Sequence, residues 1–200
     1  MNKAPPLHQQ NLPDWSRHPR IQRAAAVIRG GGVVAYPTEA VWGLGCDPSN
    51  RDAVEGILQL KQRPVGKGLI LLAANIEMLH PYLVGLDQQH IAQMQSTWPG
   101  PVTWLIPNNG MASDWISGGQ NTLAVRVSAH PVAAGLSRAL DTPIVSTSAN
   151  PRGRQPATSL TRVKVYFGNK LDDYTPGAIG NAAKPSEIRD MLTGKVVRPG

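Results

Sequence analysis

The sequence contains one cysteine, Cys46, and one phenylalanine, Phe167. A single thiol excludes an internal disulfide and a cysteine-based zinc site, and it suits a reducing compartment. Aromatic residues are only 5% of the chain, and none falls in a base-stacking motif of the kind that reads RNA. Long apolar runs are missing too. Leu69 to Ala74 is the longest, far short of what a membrane-spanning helix requires. The first twenty residues are polar and interrupted by Pro5, Pro6, Pro13 and Pro19, with no apolar segment like that of an export signal. The expectation is a soluble, non-secreted, cytoplasmic protein with no membrane association.

Familiar catalytic templates are also absent. Gly66-Lys67-Gly68 has neither the upstream glycine nor the hydroxyl residue of a phosphate loop. Gly30-Gly31-Gly32 fails the dinucleotide fingerprint because Ala35 stands where its third glycine belongs. No H-E-x-x-H, G-x-S-x-G or clustered metal ligands occur, and the five histidines are scattered. The expectation is no tightly bound, protein-ligated metal.

What remains is ordinary globular composition, 41% hydrophobic and 16% charged over 200 residues, enough for one well-cored domain. The net charge of +7 favours polyanionic partners, from nucleotides to weakly held tRNA or double-stranded RNA, although solubility alone also accounts for it.

Patterning predicts a loose leader over 1–19 and a catalytic domain over 20–200. Within the domain a helix spans 20–29, with Ala24, Val27 and Ile28 as its apolar stripe, and a strand spans 33–36, ended by Pro37. Ser49 and Asp52 read as a capping box for a helix reaching Lys61. Further strands are expected at 68–73, 102–106, 123–127, 144–147 and 195–198. Further helices are expected at 87–97, from Pro131 and at 160–166, with a helical turn at 186–192. Strands and helices without strict βαβ alternation indicate an α/β fold: a single-domain twisted mixed sheet flanked by helices, with a ligand cavity at the strand ends.

Polar clusters gather at those ends. Lys61 and Arg63 taken alone read first as a helix C-terminus complementing its dipole, and otherwise suit phosphate neutralisation. Ser146, Thr147, Ser148 and Asn150 leave an apolar strand; they fit phosphate or carboxylate binding, or a hydroxyl-capped turn. Alternation would put Ser146 and Ser148 on one side and Thr147 on the other. Arg126 lies inside an apolar strand pattern and needs an anionic partner there, from the protein or from a ligand. Pro37-Thr38-Glu39 adds a hydroxyl and a carboxylate, or simply a turn. Residue chemistry thus reaches an anion-binding α/β domain, without naming a reaction.

Taken in order, these segments resemble the YrdC family, and within it the single-domain bacterial threonylcarbamoyl-AMP synthases. The resemblance rests on Tyr36-Pro-Thr-Glu-Ala-Val-Trp-Gly-Leu-Gly45, Leu60-Lys-Gln-Arg-Pro64, Trp98-Pro-Gly-Pro-Val-Thr103, Leu123-Ala-Val-Arg-Val127, Ser146-Thr-Ser-Ala-Asn150 and Pro185-Ser-Glu-Ile-Arg-Asp190. It implies a YrdC-like fold and a nucleotidyltransferase that condenses L-threonine, bicarbonate and ATP, with Mg2+ accompanying the ATP, to threonylcarbamoyl-AMP and pyrophosphate. A downstream tRNA threonylcarbamoyl-transferase complex would then modify tRNAs that read codons beginning with A. By the same resemblance Thr38, Arg126, Ser146 and Ser186 hold threonine. Lys61, Arg63, Lys67, Thr122, Ser148, Asn150 and Arg198 form the nucleotide side, with Lys61 and Arg63 catalytic. The sequence departs from the wider family at Lys67-Gly68, Leu72 and Arg152, and it shows no second C-terminal domain, so closure of the cavity is expected from elsewhere.

Overall fold

A computed structural model describes residues 14–200. Residues 1–13, the outer part of the expected leader, lie outside the described residues. The inner part, Trp15–Arg17, forms a 3-10 turn whose Trp15 packs against Gly135.

Among the described residues nine strands make one mixed sheet: β1 (Val34–Pro37), β2 (Trp42–Gly45), β3 (Ile70–Ala73), β4 (Val102–Pro107), β5 (Thr122–Val127), β6 (Ile144–Ser148), β7 (Asp173–Tyr174), β8 (Glu187–Asp190) and β9 (Val196–Arg198). Their spatial order is β7-β1-β2-β6-β3-β5-β4-β8-β9. The pairs β1–β7, β3–β5 and β4–β8 are parallel and the rest antiparallel. The α-helices of the described residues surround the sheet: α1 (Pro19–Arg29), α2 (Arg51–Lys61), α3 (His80–Leu83), α4 (Gln88–Gln95), α5 (Asp114–Ser117), α6 (Pro131–Leu140) and α7 (Leu160–Phe167).

Two apolar clusters hold the layers together. On one face Ile21, Ala24, Ala25 and Ile28 of α1 join Val132, Ala133 and Leu136 of α6 over Val34, Tyr36, Leu72 and Ile144. The buried spacing on α1, at i, i+3, i+4 and i+7, is that of a helix laid flat on a sheet. Its buried set therefore takes in Ile21 and Ala25, while Val27 of the expected stripe is only half-buried. The opposite face packs α2, α4 and α7 on Ala35, Leu44, Leu71, Trp104, Val125 and Val145. Alternate residues of each strand thus serve different cores, as a pleat of period two requires.

Three local expectations change. The cap of α2 is Asn50, whose side chain accepts from Ala53 N at 3.0 Å; Ser49 instead donates to Asp47. Residues 187–190, expected within a helical turn, form β8, because parallel pairing with β4 satisfies their backbone. β2 and β7 were not anticipated: two glycines dilute the first, and the second has only two residues.

Gly45 permits one close approach that positions the site. A Cβ there would lie 2.7 Å from both the Tyr36 ring and the Val145 carbonyl. Without it Tyr36 lies buried across β2, its hydroxyl donating to Val145 O at 3.3 Å.

Candidate active site

The sheet face carrying α1 and α6 is covered at one end only. Where the helices stop, the same side of each strand changes chemistry. Val34 and Tyr36 give way to Thr38 after β1; Leu72 gives way to Ile70 on β3; Ile144 gives way to Ser146 and Ser148 on β6. β5 turns Thr122, Ala124 and Arg126 to this face and Leu123, Val125 and Val127 to the other core. The bare end is a cleft of about 410 Å³.

The cleft gathers Thr38, Arg63, Lys67, Thr122, Arg126, Ser146, Ser148, Ser186 and Arg198 in one wall. Thr147, expected on the opposite side, also contributes to it. Lys61 and Asn150 are not brought into the wall. Lys61 lies on the buried face of α2, and its Nζ donates to the carbonyls of Ser148 and Asn150 and to Asn150 Oδ1. Asn150 Nδ2 donates to Arg154 O at 2.7 Å, and its Oδ1 also accepts from Ser148 Oγ at 2.6 Å. Both residues tie down the end of β6 from behind. Burial, then the neighbouring Arg63 charge, pulls the Lys61 ammonium down to about 8.

Arg63 reaches the cleft because α2 ends two residues earlier, at Lys61. Gln62 takes a left-handed conformation at φ 51°, and Arg63 N closes the turn on Leu58 O. The guanidinium then donates to Gly68 O at 2.9 Å and Lys67 O at 3.2 Å. Gly68 itself needs a positive φ, 58°, and has no room for a side chain beneath Ser117 O at 2.9 Å.

Arg126 is 7% exposed, and its partner from the protein is Glu39. Nη2 approaches Glu39 Oε2 at 2.7 Å as an ion pair without hydrogen-bond alignment, while Nε donates to Gly100 O at 3.0 Å. Glu39 Oε1 accepts from Ser128 Oγ and Ala129 N, both at 2.9 Å.

The hydroxyls are also ordered. Thr38 Oγ1 donates to Val41 O at 2.7 Å, leaving its lone pairs to accept. Ser186 Oγ accepts from Thr103 Oγ1 at 3.0 Å and from Arg198 Nη2 at 3.3 Å, which leaves its proton to donate outward. Five basic side chains (Arg63, Lys67, Arg126, Lys184 and Arg198) face one carboxylate, Glu39. Burial, then the charges of Arg126 and Arg63, holds the Arg198 guanidinium below its ordinary range. The cleft thus carries unbalanced positive charge, which suits an anionic ligand.

The Sua5/YciO/YrdC family model, whose description reads "Telomere recombination", matches residues 26–200. The chain belongs to this family. Members named threonylcarbamoyl-AMP synthase resemble this Sua5/YciO/YrdC chain over nearly their full length. The Cellvibrio japonicus protein is 56% identical over 93% of this chain and 98% of its own, and the Halorhodospira halophila protein is 50% identical over 99% and 100%. Among solved structures, P. abyssi Sua5 in complex with L-threonine superposes with a TM-score of 0.85 at 33% identity, covering 90% of this chain. The chain spans 54% of that Sua5. E. coli YciO follows at 0.79 and 27%, covering 89% of this chain and 87% of YciO.

Sequence reading did not assign Glu39, Gln120 or Lys184, all of which line the cleft. Glu39 carried a signal, since a carboxylate beside Thr38 at a strand end was visible. Gln120 and Lys184 stand in connecting segments whose path only the folded sheet defines.

Proposed function

We propose that this cleft condenses L-threonine, bicarbonate and ATP to threonylcarbamoyl-AMP and pyrophosphate, as a nucleotidyltransferase. The carrying observation is the convergence of Arg126 and its hydroxyl neighbours with Arg63 and Arg198 in one cavity. Support comes from relatives named threonylcarbamoyl-AMP synthase and from the threonine complex of Sua5.

Threonine sits with its carboxylate on Arg126, within reach of Thr38, Ser146 and Ser186. Its amine and bicarbonate form a carbamate with loss of water. The carbamate oxygen attacks the α-phosphorus, and the bond to pyrophosphate breaks. Charge accumulates on phosphoryl oxygens during this step, so Arg63, Lys67 and Arg198 act as fixed counter-charges with Thr122 and Ser148 on the same wall. Lys61 and Asn150 hold the Ser148 end of that wall in place instead of touching phosphate.

Magnesium carried on the triphosphate would neutralise part of its charge, leaving the remainder to Arg63, Lys67 and Arg198. Among the described residues no group of three or more His, Cys, Asp or Glu could hold a metal ion. The adenylate passes to a tRNA threonylcarbamoyl-transferase complex. No helix among the described residues is long and apolar enough to cross a membrane, and a cytoplasmic location fits this substrate set.

The test is pyrophosphate release by the purified protein with magnesium–ATP and bicarbonate. Release that depends on added L-threonine supports the reading. Release indifferent to threonine assigns the cleft to a different acceptor and overturns it.

A further inference from the structure

Glu39 is the one carboxylate in the cleft wall among the described residues, and both of its oxygens face groups of the protein. Oε1 is held from two directions by Ser128 Oγ and Ala129 N, each at 2.9 Å. Ser128 is in turn fixed by His130 N, which donates to its Oγ at 3.1 Å. That leaves Oε2 facing Arg126 Nη2 at 2.7 Å. Arg126 is then held at two of its three nitrogens, Nε by a hydrogen bond to Gly100 O and Nη2 by the charge of Glu39, an ion pair without hydrogen-bond alignment. Nη1 has no protein partner among the described residues, and Arg126 lines the cleft.

We propose that Glu39 is a positioning residue for amino-acid capture: it locks Arg126 so that Nη1 presents itself to the α-carboxylate of the substrate. This inference rests on the threonine reading of the site. A guanidinium is a planar fork, and a few tens of degrees of rotation misalign its donors with a carboxylate. Left without Glu39, a buried Nη2 would seek the nearest acceptor and carry the plane with it. Glu39 also reaches the far side of the cleft through its backbone. Its carbonyl accepts from Ala182 N at 3.1 Å, in the segment that leads to Lys184 and Ser186.

Glu39→Gln separates positioning from folding. The amide oxygen still accepts from Ser128 and Ala129, but the amide nitrogen then faces Nη2, donor against donor. The experiment measures threonine-dependent pyrophosphate release for wild type, E39Q, E39D, R126A and E39Q/R126A, varying threonine and ATP separately, with melting temperatures. Expected for E39Q is a threonine KM raised about tenfold or more, with the ATP KM changed by less than about twofold. E39D, which keeps the charge one methylene shorter, falls between E39Q and wild type. The double variant is no worse than R126A alone, because Glu39 acts through Arg126.

A threonine KM for E39Q within about twofold of wild type, or losses that multiply in the double variant, overturns the proposal. Should E39Q not fold, Ser128→Ala, which removes one anchor from Oε1, decides it. A raised threonine KM supports the proposal and an unchanged one overturns it. Wild-type protein with no threonine-dependent release overturns the reading of the site itself, and the inference with it.

Discussion

Arg63 and Lys61 are two residues apart and have different surroundings, and that difference governs what each substitution does. The Arg63 fork opens into the cleft, held only through backbone carbonyls of residues 67 and 68. Arg63→Ala is expected to lower threonine-dependent turnover about 10²–10³-fold, the loss typical of one transition-state donor, with melting little changed. Turnover within a few-fold of wild type would remove Arg63 from the chemistry. Lys61 is instead buried with its charge disfavoured, about 8 against an ordinary 10.5. Between those values the unfolded chain binds the proton and the folded chain does not, so this group makes stability rise with pH. Below about 8 its desolvation penalty is fully present. Denaturant titrations of wild type and Lys61→Met from pH 8 to 10 should show an extra wild-type slope of up to about 1.4 kcal/mol per pH unit. Parallel pH profiles would show that the ammonium is not perturbed.

Elements succeed or fail on caps and close approaches. Asn50→Ala removes the acceptor for Ala53 N at the start of α2 and is expected to cost about 1 kcal/mol. A shifted urea midpoint with unchanged m and unchanged threonine KM is the signature, since Lys61 and Arg63 sit at the other end. Gly45→Ala would force a methyl against Tyr36 and Val145 O, costing about 1–3 kcal/mol and displacing β2 from β6; full stability would show that Tyr36 yields.

The long strands and α1, α2, α6 and α7 were legible because burial imposes a strict period on their apolar residues. β8 was not, since a run of Ser, Glu, Arg, Met and Leu has helical propensity that pairing with β4 overrides. Most of the polar residues lining the candidate site were legible as a strand-end set. The depth of the site was not: whether Lys61 faces phosphate or the back of β6 depends on how Gln62 turns the chain, a backbone choice that leaves no mark in composition.

For the whole molecule the dominant quantity is uncompensated positive charge within one cleft. The ATP KM should therefore rise with ionic strength more steeply than the threonine KM, because the triphosphate engages more of the cations. Equal salt dependence would place the phosphates elsewhere. Occupancy should also stabilise the fold. Threonine and a non-hydrolysable ATP analogue at about a hundred times their dissociation constants would each add about 2.7 kcal/mol, read as a raised melting temperature; no shift with both present would disconnect the cleft from these ligands.

The wall is assembled from pieces far apart in the chain: the turn after β1, the exit of α2, the middle of β5, the tip of β6 and the final β8–β9 hairpin. No contiguous fragment holds the anion-binding set. A nascent or partly melted chain has nothing with which to activate threonine, so enzyme activity reports completion of the entire sheet, out to the last three-residue strand.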